Sequence, residues 1–337
     1  MMLKKFIKKV TDGQDLTSEE MTEAMEIIMS GKTTDAQIAG FLIGLKMKGE
    51  ASGEIIAAAK VMRSKATRVE VKKDIILDTC GSGGDGHGTI NISTATAIVA
   101  AAAGITVAKH GNRSITSKSG SADILKELGV NIEAGPEKVA ECINNAGVGF
   151  IFAPGYHKAM KYVMPARKEL GVRTMFNILG PVVNPAMHTH HLMGVFSPEL
   201  VDKIIEVFKG IGLKHALVVC GEGGLDEISL SGSTAVAELK GGKIEKYTVS
   251  PADFGLKEAP VEEIKGGDPA ENAKILNSIF SGKEKGACYD VVVLNSGFGI
   301  YTGDGAGSPK EGIEKAKEII DSGKAAAKLK ELIECSN

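Results

Sequence analysis

Apolar residues recur at helical spacing from the first turn of the chain. Leu3, Phe6, Ile7 and Val10 fall at i, i+3, i+4 and i+7, a single stripe with lysines outside it. The pattern predicts an amphipathic helix, and no continuous apolar run follows that would make it a secretory signal. Thr17-x-x-Glu20 has the form of a capping box, Thr34-x-x-Gln37 repeats it, and Gly31 and Gly49 sit where helices stop. The stretch AQIAGFLIGLKMKG is apolar around most of its circumference, so it is expected to pack on more than one side. Residues 1–70 are therefore predicted to be a small all-helical domain, and its crowded helix is the expected contact of a homodimer.

Near Lys72 the pattern changes. Short apolar runs at 74–78, 105–108, 148–152, 216–220 and 291–294 read as buried strands, with helices at 122–128 and 136–146 between them. Such alternation predicts an α/β domain over 71–337, with a central, mostly parallel sheet flanked by helices. Ligands of such sheets bind where loops leave the carboxyl ends of the strands.

Composition narrows the function classes. A chain of 337 residues, 43% hydrophobic, is long enough for two domains. Its net charge of -2 argues against a nucleic-acid partner, which needs a basic surface. No run reaches the length of a membrane span. Five cysteines (Cys80, Cys142, Cys220, Cys288, Cys335) form no CxxC pair and read as reduced thiols, so a cytoplasmic location is expected. The acceptor patterns at Asn91-Ile-Ser93 and Asn112-Arg-Ser114 would matter only in a secreted protein.

Candidate chemistry sits on three loops. The first, Cys80-Gly-Ser-Gly-Gly-Asp-Gly-His-Gly-Thr89, leads into a helix at Asn91. Its glycines let backbone amides approach an anion, and a helix N-terminus adds positive dipole. Gly81-x-Gly83-x-x-Gly86 matches a dinucleotide fingerprint, but no Asp or Glu lies between Asp85 and Asp123 to hold a ribose hydroxyl. No lysine follows in the manner of an NTPase loop either. The second loop, Lys109 to Ser121, holds three basic groups and five hydroxyls suited to phosphate, and Ser121 is placed to cap the next helix. The third, Gly224-Leu-Asp226-Glu227, offers adjacent carboxylates suited to Mg²⁺ beside a polyphosphate. His188, His190 and His191 are read as lying on a loop, at a spacing that matches no standard metal site.

GSGGDGHGTINIST, KHGNRSITSKSGSAD, MPARKELGVRTMFNILGPVVNP and GLDE, in this order, resemble the signature blocks of the anthranilate phosphoribosyltransferase family. The helical opening is similar too, so the resemblance runs from about Leu16 past Glu227. Two departures are Ser82 where Thr is common and Gly224 where Asp is frequent; the second puts fine tuning of the metal in doubt. The resemblance implies a nucleoside phosphorylase/phosphoribosyltransferase-like fold. It also implies transfer of phosphoribose from 5-phosphoribosyl 1-diphosphate to anthranilate in tryptophan biosynthesis. Donor contacts are then expected at Gly81, Gly84, Asp85, Thr89, Asn91, Ile92, Ser93, Thr94, Lys109, His110, Gly111, Asn112, Arg113, Ser114, Ser117 and Ser121. Anthranilate is expected to meet Gly81, His110, Asn112, His157 and Arg167, with segment 157–190 lining its site between the domains. Mg²⁺, two ions per subunit, is expected on Ser93, Asp226 and Glu227. Two other readings stay open: a pyrimidine nucleoside phosphorylase, and a sensor of phosphoribosyl ligands that has lost turnover.

Overall fold

The computed structural model describes residues 3–114 and 118–337. Four helices open the chain: α1 (Lys4–Thr11), α2 (Ser18–Met29), α3 (Asp35–Lys48) and α4 (Ser52–Lys65). Thr17 and Glu20 form the reciprocal box that starts α2. The second box is only half made: Thr34 accepts from the Gln37 amide, while the Gln37 side chain turns to Thr33. The α1 stripe is buried through Leu3, Phe6 and Val10.

Strands and helices then alternate: β1 (Leu77–Gly81), α5 (Ile92–Ala102), β2 (Val107–Gly111), α6 (Ser121–Glu127), α7 (Pro136–Asn145), β3 (Val148–Phe152). The short α8 (Ala153–Tyr156), α9 (Met164–Leu170) and α10 (Met175–Val182) precede β4 (His190–Gly194), α11 (Pro198–Ile211) and β5 (His215–Gly221). A hairpin of β6 (Thr234–Lys240) and β7 (Lys243–Val249) follows, then α12 (Pro269–Phe280), α13 (Ala287–Thr302), α14 (Pro309–Asp321) and α15 (Lys324–Ser336). The seven strands run in the order β3-β2-β1-β4-β5-β6-β7, parallel from β3 to β5 and antiparallel beyond.

Side chains alternate across this sheet. On β5, Leu217 and Val219 face a core shared with α5 and α12–α15. Ala216, Val218 and Cys220 face the other core, which continues through α11, α10 and α9 into the N-terminal helices. The crowded helix α3 thus finds much of its apolar company within the chain, against α1, α9 and α10. Among the described residues no helix is long and apolar enough to cross a membrane.

Three expectations need correction. The run 291–294 is not a strand but the middle of α13, buried on every side; an apolar run alone does not separate a buried strand from a buried helix. His190 and His191 open β4 and do not lie on a loop. Ser121 is the first residue of α6; Gly120 is its N-cap, and the Asp123 carboxylate takes the Gly120 amide.

Candidate active site

Strand order reverses between β1 and β4: β2 and β3 lie to one side of β1, β4 and β5 to the other. A crevice opens at the carboxyl ends of strands at such a point. The glycine loop leaves β1 there, and the Asp226-Glu227 turn follows β5. Gly81 and Gly194 make the room. A Cβ on Gly194 would collide with the Asp226 carbonyl oxygen, and one on Gly81 would collide with its carboxylate. Asp226 accepts the Gly83 amide at 2.6 Å, and Glu227 accepts the Ser93 amide at 3.1 Å in the first turn of α5. Lys109 is buried beneath them, donating to the Thr79 carbonyl at 2.6 Å and reaching the Ser93 hydroxyl at 3.4 Å. Ser93, Asp226 and Glu227 are thus brought together, with Asp85 alongside.

This cluster is electrostatically uncomfortable. Burial, then the neighbouring Asp85 carboxylate, push the Asp226 carboxyl up to about 7. Burial and Asp226 hold Glu227 well above the usual carboxylate range. One buried oxygen of Asp85 has no hydrogen-bond donor. Burial also depresses the Lys109 ammonium. Three acids against one lysine, aimed at a crevice, make a site for a hard cation with oxygen ligands.

The glycine loop is held by contacts remote in sequence. Gly83, Gly84, Gly86 and Gly88 all have positive φ. Thr89 bridges to Lys265, Ile90 donates to the Ile264 carbonyl, and Gly266 donates to the Gly88 carbonyl. Arg173 donates to the Gly84 carbonyl and stacks over Phe196. Asn91 bonds Ser119 and receives the buried Asn272 amide at 2.9 Å. Ile92 differs from its neighbours: its side chain is core and its amide is taken by Ile90, so it presents no free group. Thr94 is buried with an unpartnered hydroxyl.

In the second loop, Gly111 lies against the Ser121 hydroxyl, which donates to the Asn112 carbonyl. Arg113 pairs with Asp123 at 3.1 Å, and the same carboxylate takes the Ser114 amide. Asn112 is exposed at the tip. Ser117 lies outside the described residues.

His110 and His157 meet with ring nitrogens 3.2 Å apart. Burial pushes His110 well below the normal imidazole range and His157 down to about 4, so both rings are neutral. Asp78, buried on β1, accepts the His110 amide at 3.2 Å. Arg167 projects from α9 over the Phe176 ring, with one loose bond of 3.5 Å to Asn177. Its remaining donors are not engaged by any described residue except the Met164 sulfur. A cleft of about 170 Å³ runs beside it, lined by Lys46 of α3, Glu50 just after that helix, Ser82, Arg173, Asn177 and Phe196. Arg173, Asn177 and Asn272 escape sequence reasoning. Arg173 and Asn177 look like any polar residue of their block, and Asn272 is 181 positions from its partner.

Comparison with known proteins agrees with this fold. Residues 73–326 match the glycosyl transferase family a/b domain, and residues 4–66 its helical bundle domain. A curated relative, the anthranilate phosphoribosyltransferase of Petrotoga mobilis, is 51% identical over 336 residues, covering 100% of this chain and 97% of the relative. The crystal structure of anthranilate phosphoribosyltransferase from Thermus thermophilus superposes with a TM-score of 0.94 at 44% identity, covering 98% of this chain and 99% of that one. The Saccharomyces cerevisiae enzyme in complex with PRPP and Mg gives a TM-score of 0.91 at 30% identity, covering 99% and 97%.

Proposed function

The chain belongs to the anthranilate phosphoribosyltransferase family, and on that premise we propose how its three loops divide the work. It transfers the phosphoribosyl group of 5-phosphoribosyl 1-diphosphate (PRPP) to the amine of anthranilate, releasing diphosphate, in tryptophan biosynthesis, and it uses Mg²⁺. The observation that carries the assignment is the crowded acid cluster of Asp85, Asp226 and Glu227 facing two glycine- and hydroxyl-rich anion loops.

Mg²⁺ bound to the diphosphate neutralises charge on the leaving group. Asp226, Glu227 and Ser93 would hold it, and we assign two ions per subunit, since the acids together with the diphosphate they face carry more charge than one ion and Lys109 neutralise. The positive-φ glycines and the second loop fix the donor, with Lys109 as the buried cation beneath it. Positioning and electrostatics then suffice: the ribosyl carbon becomes cationic as diphosphate departs, and the amine attacks from the opposite face with inversion. The neutral His110–His157 pair supports this, because an arylamine needs no base before attack and neutral rings do not repel the cationic carbon. Arg167 reads the anthranilate carboxylate. Asn112 meets the ring from the loop tip.

We place the pairing surface of a cytoplasmic homodimer on the helical layer, where Ile7, Ala39, Gly40 and Ile43 stay part-exposed. Ile43→Lys should sediment as a monomer; an unchanged mass moves the interface elsewhere. The activity itself is tested by loss of anthranilate fluorescence. It should require both PRPP and Mg²⁺, whereas thymidine and uridine should not be phosphorolysed. Phosphorolysis without anthranilate turnover, or ligand binding without either reaction, overturns the assignment.

A further inference from the structure

The amino ends of the same strands carry a second cluster that the transfer reaction does not use. His190 begins β4 and His215 begins β5, side by side in the parallel register. Four residues of strand separate them from the active-site end, about 13 Å at the usual rise. The rings are 1% and 2% exposed, with centroids 6.0 Å apart. Asp304, in the turn after α13, spans them: one oxygen lies 3.1 Å from His190 Nε2, the other 3.0 Å from His215 Nδ1. Its backbone takes a left-handed φ of 56°, which Asp tolerates better than most residues. Its side chain is 42% exposed, so water has access.

The outer hydrogen bonds are compatible with inner nitrogens that face the carboxylate bare. The Thr189 hydroxyl lies 3.1 Å from the Asp74 carbonyl, to which it can donate, and 2.8 Å from His190 Nδ1, from which it can then accept. His215 Nε2 donates to Glu238 at 3.1 Å, and Tyr301 and Tyr247 keep Glu238 ionised by donating to it as well. With the Thr189 proton on the Asp74 carbonyl and the rings neutral, His190 Nε2 and His215 Nδ1 both aim lone pairs at one carboxylate. Only a cation reconciles them: a proton on each ring, or a metal among the three groups. A metal satisfies both rings and both carboxylate oxygens at once, and the 42% exposed Asp304 side chain gives it access from solvent. Lys240 is kept off by Tyr301, whose hydroxyl it meets at 3.3 Å.

We propose that His190, His215 and Asp304 form a binding site for a zinc-like divalent ion, with water as fourth ligand and Glu238 and Thr189 orienting the rings. Two imidazoles, one carboxylate and an open position suit Zn²⁺, whose bonds to such ligands are about 2.0–2.1 Å; the two ring nitrogens lie 3.1 and 3.0 Å from the carboxylate oxygens, and all the ligand atoms lie within 4.8 Å of one another. Imidazole nitrogen excludes Mg²⁺, which prefers oxygen. Glu238 bonded to His215 is the usual second carboxylate of such a site. The ion would tie β4, β5 and the end of α13 together.

The test is a Zn²⁺ titration of the metal-stripped full chain against a chromophoric chelator, in a large excess of Mg²⁺ to occupy the oxygen site. One Zn²⁺ should bind and raise Tm, and Co²⁺ in its place should give the intense visible band of a tetrahedral nitrogen site. His215→Asn should weaken binding by at least about 100-fold and Glu238→Gln by about 10-fold. Asp304→Asn, exposed and tolerant of the left-handed backbone, guards against a mere folding defect: it should stay folded, lose at least about 10-fold in affinity and lose the Tm shift. Absence of Zn²⁺ binding under excess Mg²⁺, or wild-type affinity in folded Asp304→Asn, overturns the site. A cluster stabilised only by protons would show itself as a Tm that rises on mild acidification and ignores Zn²⁺, and that result also overturns it.

Discussion

The two ends of the parallel sheet hold similar numbers of charged side chains and treat them oppositely. At the carboxyl end, burial and crowding by neighbouring acids push Asp226 up to about 7 and hold Glu227 well above the usual carboxylate range. At the amino end Glu238 is pulled down to about 2: burial works against its charge, but His215, Tyr301 and Tyr247 outweigh it with three hydrogen bonds. Strand geometry is common to both. What differs is how many donors each carboxylate has to itself. A carboxylate short of donors, such as Asp226, is poised for a cation; one saturated with donors, such as Glu238, holds the fold together.

The largest effect should come from emptying the carboxyl end. Asp226→Asn with Glu227→Gln should lower turnover at limiting Mg²⁺ by about a thousandfold, the scale of several kcal/mol of lost charge stabilisation, with an unchanged circular dichroism spectrum. Full activity in that variant would detach the metal from these acids.

Arg167 sharpens the same end. Removing a charged hydrogen bond costs about 1.5–3 kcal/mol, or about 10- to 150-fold. Arg167→Ala should lower kcat/KM for anthranilate by that factor while leaving PRPP affinity near normal. Lysine should rescue partly, since it lacks the planar fork. Aniline, if it reacts, should be used equally by wild type and variant; an equal loss for both would make Arg167 a structural support.

A smaller effect sits at the amino end. Glu238→Gln should destabilise the fold by about 1–3 kcal/mol, since His215, Tyr301 and Tyr247 lose a charged acceptor. Denaturant melts at neutral pH check this, and an unchanged midpoint would mean the network adds nothing to stability.

Much of this contrast is legible in the sequence, but unevenly. The glycine loop, the hydroxyl-rich loop and the Asp226-Glu227 turn each occupy a few consecutive residues whose chemistry is local, so motif and spacing find them. Strands β2, β3 and β5 are visible as short apolar runs, though the run for the first starts two residues early. The β6–β7 hairpin escapes the pattern although Gly241-Gly242 takes the positive φ its turn needs. Helix α13 reads as a strand because burial on all sides erases helical periodicity. The clamp of Asn272 on Asn91, the reach of Arg173 to Gly84 and the bridge from Asp304 to His190 and His215 join residues 89 to 181 positions apart. Tertiary packing alone brings such pairs together. The histidines show it best: neighbours in sequence, His190 and His191 point to opposite faces of β4, and His191 bonds His188 and Cys80 instead.

The smallest effect is also the most direct reading of the central claim, that Asp226 and Glu227 are strained until a cation arrives. Their folded pKa values lie above those of the unfolded chain. Their contribution to stability is therefore full at acid pH and is lost as pH rises through the folded value, about 7 for Asp226. Above that pH, metal-free wild type should melt lower than at pH 5, and Mg²⁺ should restore it. Thermal melts of wild type and Glu227→Gln, with and without Mg²⁺ on either side of that value, decide the matter. The account predicts that metal-free Glu227→Gln melts above metal-free wild type at the higher pH and gains little from Mg²⁺. A variant that melts below wild type there, and keeps the full Mg²⁺ shift, would contradict it.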